Sequence, residues 1–150
     1  MTRVATNHRV LKCPPAAVFE VISNGWLYPS WVVGASRMRN VDHSWPAPQA
    51  RIHHSFGVWP VLIDDTTSIL EWDPPRHVKL KARGWPIGSA HVVIDVEPTD
   101  GGCRVTILED AVEGPGTLVP KPARTAAILV RNKETLQRLA YLAEGIAEGR

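Results

Sequence analysis

The stretch "HVKLKAR", His77 to Arg83, alternates without a fault: Val78, Leu80 and Ala82 fall on one side of an extended chain, Lys79, Lys81 and Arg83 on the other. A strand that alternates apolar and cationic residues this strictly belongs to a sheet with one dry face and one wet face. The strand, about Arg76 to Gly84, is bounded by the turn signals "WDPPR" and "GWPIG". Downstream, "SAHVVIDVE" sets Ala90, Val92, Ile94 and Val96 against His91, Val93 and Asp95, and "TDGG" turns the chain into a last strand, "CRVTILEDAVE". Upstream lies a strand of about Val61 to Trp72. Before it, "ARIHHSFGVW" places Ile52, His54, Phe56 and Val58 on one face and Arg51, His53, Ser55 and Gly57 on the other. The first set is the better candidate for the inward face.

The two ends of the chain supply helices. Val4 to Cys13 reads as a first strand stopped by Pro14-Pro15, and "PPAAVFEVIS" then gathers Val18, Phe19, Val21 and Ile22 on one side of a short helix that Asn24-Gly25 ends. "GWLYPSWVVG", Gly25 to Gly34, is broken by Pro29 and runs into an extended stretch of about Val32 to Val41; "DHSWPAPQ" is a loop. After Pro122 the chain continues to Glu148 without another proline. Ile128, Leu129, Asn132, Leu136, Leu139, Ala143 and Ile146 form one helical stripe there, with Glu134 and Arg138 four apart on another face. Seven strands with one wet face must cover the dry one, and the long C-terminal helix is the only element large enough to do it. The fold class is α+β, and a curved sheet around one helix readily leaves a cavity between them.

Composition excludes several classes of function. A chain of 150 residues with 44% hydrophobic and 21% charged residues fits one domain, residues 1–150, that buries roughly two thirds of its unfolded surface. The net charge of +2, with the 17 Lys and Arg spread along the chain, argues against nucleic acid. No apolar window reaches a membrane span and no h-region opens the chain, so the expectation is a cytoplasmic protein without stable membrane insertion. Cys13 and Cys103 form no CxxC pair and read as buried free thiols. The adjacent His53 and His54 point to opposite faces of a strand and cannot chelate together; no metal or cofactor is called for.

The order β-α-α-β6-α, the "DPP" between central strands, "DGGCRVTILED" in the last strand and the long terminal helix resemble the START-like superfamily, in its polyketide cyclase/dehydrase and lipid-transport branch. The resemblance covers nearly the whole chain. It implies a helix-grip fold: a seven-stranded antiparallel sheet curved around the C-terminal helix, two short helices as a wedge over about Pro15 to Ser30, and a hydrophobic ligand cavity between them. It also implies that the end of the first strand lies beside the start of the last, so that Cys13 and Cys103 are neighbours. The family spans lipid carriers, hormone receptors, allergens, aromatase/cyclases and chaperone co-activators, so fold alone does not choose the function.

Candidate site residues follow from orientation. His54 is the inward histidine, a pocket hydrogen-bonder or base, or else a satisfied core histidine. Glu109 shares a face with Val105 and Ile107, which aims a carboxylate at the interior unless the strand end twists it to the rim. Asn132 interrupts the helix stripe one turn before Leu136. Six tryptophans, three of them at Trp-Pro steps (Trp45, Trp59, Trp85), exceed what a small core readily absorbs, and an aromatic-lined pocket is expected to use Trp26, Tyr28, Phe56, Trp59, Trp72 and Trp85, with Trp31 in the core. The leading expectation is a binder of a small hydrophobic, lipid-like or aromatic molecule, with a homodimer compatible with it. The alternatives are a cyclase or dehydratase using His54 or Glu109 as general base, and a partner-binding adaptor without ligand.

Overall fold

The alternating stretch forms β5, His77–Gly84, hydrogen-bonded antiparallel to β4, Val61–Asp73, and to β6, Gly88–Thr99. The computed structural model describes residues 5–58, 61–84, 88–114, 118 and 120–149; at 56–58, 61–63, 84 and 111–113 it describes the backbone. Beyond β4 lie β3, Arg51–Val58, and β2, Ala35–Val41; beyond β6 lie β7, Gly102–Glu113, and β1, Ala5–Leu11. The seven strands form one sheet in the order β1-β7-β6-β5-β4-β3-β2. All its pairings are antiparallel. With α1, Pro15–Ser23, α2, Tyr28–Trp31, and α3, Lys121–Ala147, this is the expected α+β helix-grip arrangement.

The wet and dry faces are those the alternation requires. Ile52, Ile69, Val78, Leu80, Ile94, Val96, Val105 and Ile107 are buried on the inner face, where Val18, Phe19, Val21 and Ile22 of α1 and Leu136, Leu139, Ala140 and Ala143 of α3 close over them. Each such side chain contributes about 1.5–3 kcal/mol. On the outer face His77 donates from Nδ1 to Asp95 Oδ1 at 2.6 Å and lies 3.4 Å from Glu71. The hydrogen bond to Asp95 raises the pKa of His77. Ser55 departs from the pattern: it sits on the outer side yet is buried, its hydroxyl donating to Asp64 Oδ1 at 3.0 Å.

Two boundaries differ from the sequence reading. The second strand, expected from about Val32, starts at Ala35. A closing hydrogen bond from Val32 N to Tyr28 O, 2.9 Å, keeps Trp31 helical, and Gly34 at φ +101 then turns the chain. The apolar stripe of α3 also begins later than expected. The helix has 27 residues, about 40 Å of rise, but none from Lys121 to Arg131 is buried, so Ile128 and Leu129 are half-exposed and packing starts at Asn132. Leu11 pairs with Cys103 in the β1–β7 register, and the Cys13 and Cys103 thiols meet as hydrogen-bond partners. Both stay free; burial, then the neighbouring Cys103, pushes the Cys13 thiol up to about 12, which leaves it inert.

Candidate functional site

Strand register gathers the buried polar residues at one end of the inner face. His54 of β3 stands directly opposite Asp65 of β4, and Thr67, two residues on, opposite Ile52. Across the sheet Thr67 aligns with Ala82 and Ala82 with Ala90. One row below, Ile69, Leu80, Val92 and Glu109 align in the same way. The inner face therefore grades from branched apolar residues near the β4–β5 turn, through a row with two alanines, to a polar end. Ala82 and Ala90 are only half-buried although they face inward.

α2 reaches this end through Tyr28. The Gly25–Leu27 turn is a 3-10 helix, in which residues three apart eclipse. Gly25 and Tyr28 therefore share the inward side: Gly25 is so close to Ile52 and Val41 that a Cβ would lie 2.8–2.9 Å from their methyl carbons. Trp26, expected near a ligand space, is turned away from Ile52 and Val41 by the same geometry and is 58% exposed. The Tyr28 ring stacks at 5.1 Å on His54 and edge-on at 5.5 Å on Trp31, which is core as expected.

The polar atoms form a relay. Thr67 Oγ1 lies 2.9 Å from His54 Nε2 and 3.1 Å from the Tyr28 hydroxyl. His54 is 2% exposed; its Nδ1 has no partner at good hydrogen-bond geometry, and the backbone of Ser55 beside the ring favours its protonated form. Burial outweighs that effect and lowers the His54 pKa to about 4, so the ring is neutral at pH 7. Burial likewise pushes Tyr28 up to about 12. Asp65 is 7% exposed, with Oδ1 accepting from Thr66 N at 2.6 Å and Oδ2 buried without a partner; desolvation raises its pKa.

Beside the relay, Glu109 is 6% exposed and inward, as its alternation with Val105 and Ile107 required. Arg131 of α3 donates to its Oε2, and Asn132 Nδ2 to its Oε1 at 3.2 Å. Both charges act on the Tyr28 hydroxyl, Arg131 lowering and Glu109 raising its pKa, so the ion pair and the relay adjoin. Leu136 lies buried one turn below Asn132. Trp72 is elsewhere: it packs edge-on against Phe19 at 5.3 Å, seven residues and roughly 23 Å along β4 from Asp65. Trp59 and Trp85 lie outside the described residues, and Phe56 is placed by backbone alone, opposite Ile63. A surface groove of about 540 Å³ between Arg9, Glu134, Arg138 and Tyr141 involves none of these residues.

A family profile described as polyketide cyclase/dehydrase and lipid transport matches residues 1–144. The chain belongs to this polyketide cyclase/dehydrase and lipid transport family. Solved structures carry the same fold at low identity. A protein of Chromobacterium violaceum is 17% identical, with a TM-score of 0.74 over 95% of this chain and 99% of its own. One from Nitrosomonas europaea is 18% identical, with a TM-score of 0.70 over 93% and 92%. Ara h 8.0201 is 15% identical, with a TM-score of 0.68 over 97% of each chain. At these identities the likeness is one of fold. No curated protein matches the chain in sequence. Among the described residues of this family member no helix is long and apolar enough to cross a membrane, and no group of His, Cys, Asp or Glu could hold a metal ion.

Sequence reading missed Asp65, Thr67 and Arg131. The first two were within reach, because alternation from the buried Ile69 puts both on the inner face. Nothing in the sequence pattern singles out Arg131, and only the approach of α3 to β7 shows its partner. One consequence of the relay is measurable. His54 has a folded pKa below its unfolded value of about 6.5. Between pH 6.5 and 4 the unfolded chain binds a proton that folded His54 refuses, so stability falls as pH falls through that window. Urea titrations will show wild type losing up to one proton's slope, about 1.4 kcal/mol per pH unit, relative to His54→Gln. Parallel pH profiles for the two proteins would mean that His54 is not held neutral.

Proposed function

We propose that this protein binds a small, largely apolar molecule in the space between the polar end of the sheet's inner face and the first turns of α3. The observation that carries the reading is the half-buried pair Ala82 and Ala90, in line with Thr67 of the buried Tyr28–Thr67–His54 relay, on a face against which α3 buries side chains only from Asn132 onward. Small side chains and a helix whose first turns bury nothing leave volume there, and apolar rows with a few fixed polar groups are what a ligand pocket needs. The family's description, which joins polyketide chemistry with lipid transport, supports an apolar ligand. Tyr28, His54, Thr67, Asp65, Asn132 and Leu136 are the residues we assign to it.

Turnover is the weaker reading. A general base works best with a pKa near the working pH, and His54 at about 4 is a poor one. Glu109 is already committed to Arg131 and Asn132. Native mass spectrometry of protein purified from its own host will show a co-purifying small molecule, and Ala90→Leu will remove it while changing stability by less than about 1 kcal/mol. In a filled core the same substitution overpacks at about 1–3 kcal/mol. That cost, together with a blank lipid and aromatic panel, would overturn the proposal.

A further inference from the structure

We infer that the polar end of the cavity selects an uncharged head group that both donates and accepts a hydrogen bond, a carboxamide, phenol or alcohol, held between Asp65 Oδ2 and His54 Nδ1, and that it rejects carboxylates, phosphates and amines. The inference rests on the cavity reading above and adds the chemistry of what fills it.

Two buried polar atoms without partners are the starting point. His54 Nδ1 and Asp65 Oδ2 belong to residues more than nine-tenths buried, directly opposite on adjacent strands. The Tyr28 ring on His54 shows that this is the face the helices cover. Buried groups of this kind are costly to leave unpaired, and each calls for a partner. Opposed side chains in a sheet start about 5 Å apart at Cβ. One hydroxyl, or the two ends of one carboxamide, spans such a gap with two ordinary hydrogen bonds. One direction of the relay gives complementary roles. With Tyr28 donating to Thr67 and Thr67 to Nε2, Nδ1 carries the hydrogen and donates, while Oδ2 accepts.

Charge decides against ions of either sign. An anionic head would need a free cation beside His54 and Asp65, but Arg131 is bound to Glu109, Arg39 lies on the outer side of β3, and Lys121, whose Nζ is buried without a partner in the first turn of α3, is not among the charges that act on either group. On that outer side Arg39 Nη2 donates to the Asp65 and His54 carbonyls at 2.9 and 3.4 Å, and its Nε lies 3.7 Å from Asp64. A cationic head would meet Asp65, yet Arg39 and Arg83 already act on that carboxyl from behind, and Arg39 also opposes positive charge at His54. A neutral head pays neither penalty.

The test is isothermal titration at pH 7.5 with probes that share a tail and differ in head: decanamide, decanol, decanoate and decylamine, and the matching 2-naphthyl series. The amide and alcohol will bind at least tenfold tighter than the acid and the amine in one or both tail series. Asp65→Asn, which keeps shape but replaces the acceptor by a donor, will shrink the penalty on the carboxylate severalfold. If the tails bind but heads do not discriminate, or the carboxylate binds tightest, the head-group inference is overturned and the cavity reading stands. If no probe of either series binds, the cavity reading falls and takes the inference with it.

Discussion

Gly102→Ala will lower the melting temperature by about 10 °C. A Cβ at position 102 would lie 1.8 Å from the Leu11 carbonyl oxygen, 2.9 Å from its carbon and 3.3 Å from Cys13 N. All three atoms are backbone at the end of β1, so no rotamer change relieves the clash; the strand must leave β7. Overpacking typically costs about 1–3 kcal/mol where side chains can give, and here the upper end or more applies. At about 2–4 °C per kcal/mol for a chain of this size, that is the stated shift. Gly101→Ala is the control: nothing lies within 4 Å of its added Cβ, and only its φ of +83 is strained, worth about 1–2 kcal/mol. Loss of the β1 end will also expose Cys13 and Cys103, so thiol reagents will label the Gly102 variant far faster than wild type. Equal melting of the two alanine variants would show the Leu11–Cys103 register to be wrong.

That register was legible from sequence because the family resemblance placed the two cysteines side by side and because alternation in β7 is strict. The same rule gave His54 and Glu109 their correct faces. The expected place of Trp26 comes from the surplus of aromatic rings and not from a period, and there the governing period is the three-residue repeat of a 3-10 turn, with Gly25 packed against Ile52 and Val41. Helical spacing overextended the α3 stripe. Ile128 and Leu129 have the spacing of core residues, but spacing states only which side of a helix is apolar, not how far the sheet beneath follows it. The polar end of the site was hidden for a related reason. Alternation from Ile69 puts Asp65 and Thr67 on the dry face, but only the register brings them to His54, and Arg131 gains its meaning from a partner 22 residues away.

Arg131→Met will destabilise the protein by about 3 kcal/mol, and Glu109→Gln in the same chain will recover most of the loss. The reason is asymmetry. Assembling a buried ion pair gains little over an apolar pair, because both ions are desolvated, whereas removing one partner strands the other charge and costs about 3–5 kcal/mol. Glu109 is the buried member; without Arg131 it keeps only the Asn132 amide, one hydrogen bond at 3.2 Å for a full charge. The lower end of the range applies because the Arg131 side chain is 30% exposed and water reaches it. Methionine preserves much of the arginine stem's cover, so the loss reports charge rather than packing. In the double variant the glutamine side chain at position 109 keeps an acceptor for Asn132 and has no charge to strand, so urea unfolding should return to within about 1 kcal/mol of wild type. The coupling between the two sites, about 2 kcal/mol, is the quantity to measure. A single variant that costs under about 1 kcal/mol, with no recovery in the double, would mean that Glu109 is solvated in the folded protein. It would then be an open carboxylate beside the proposed cavity, available to a ligand rather than committed to Arg131.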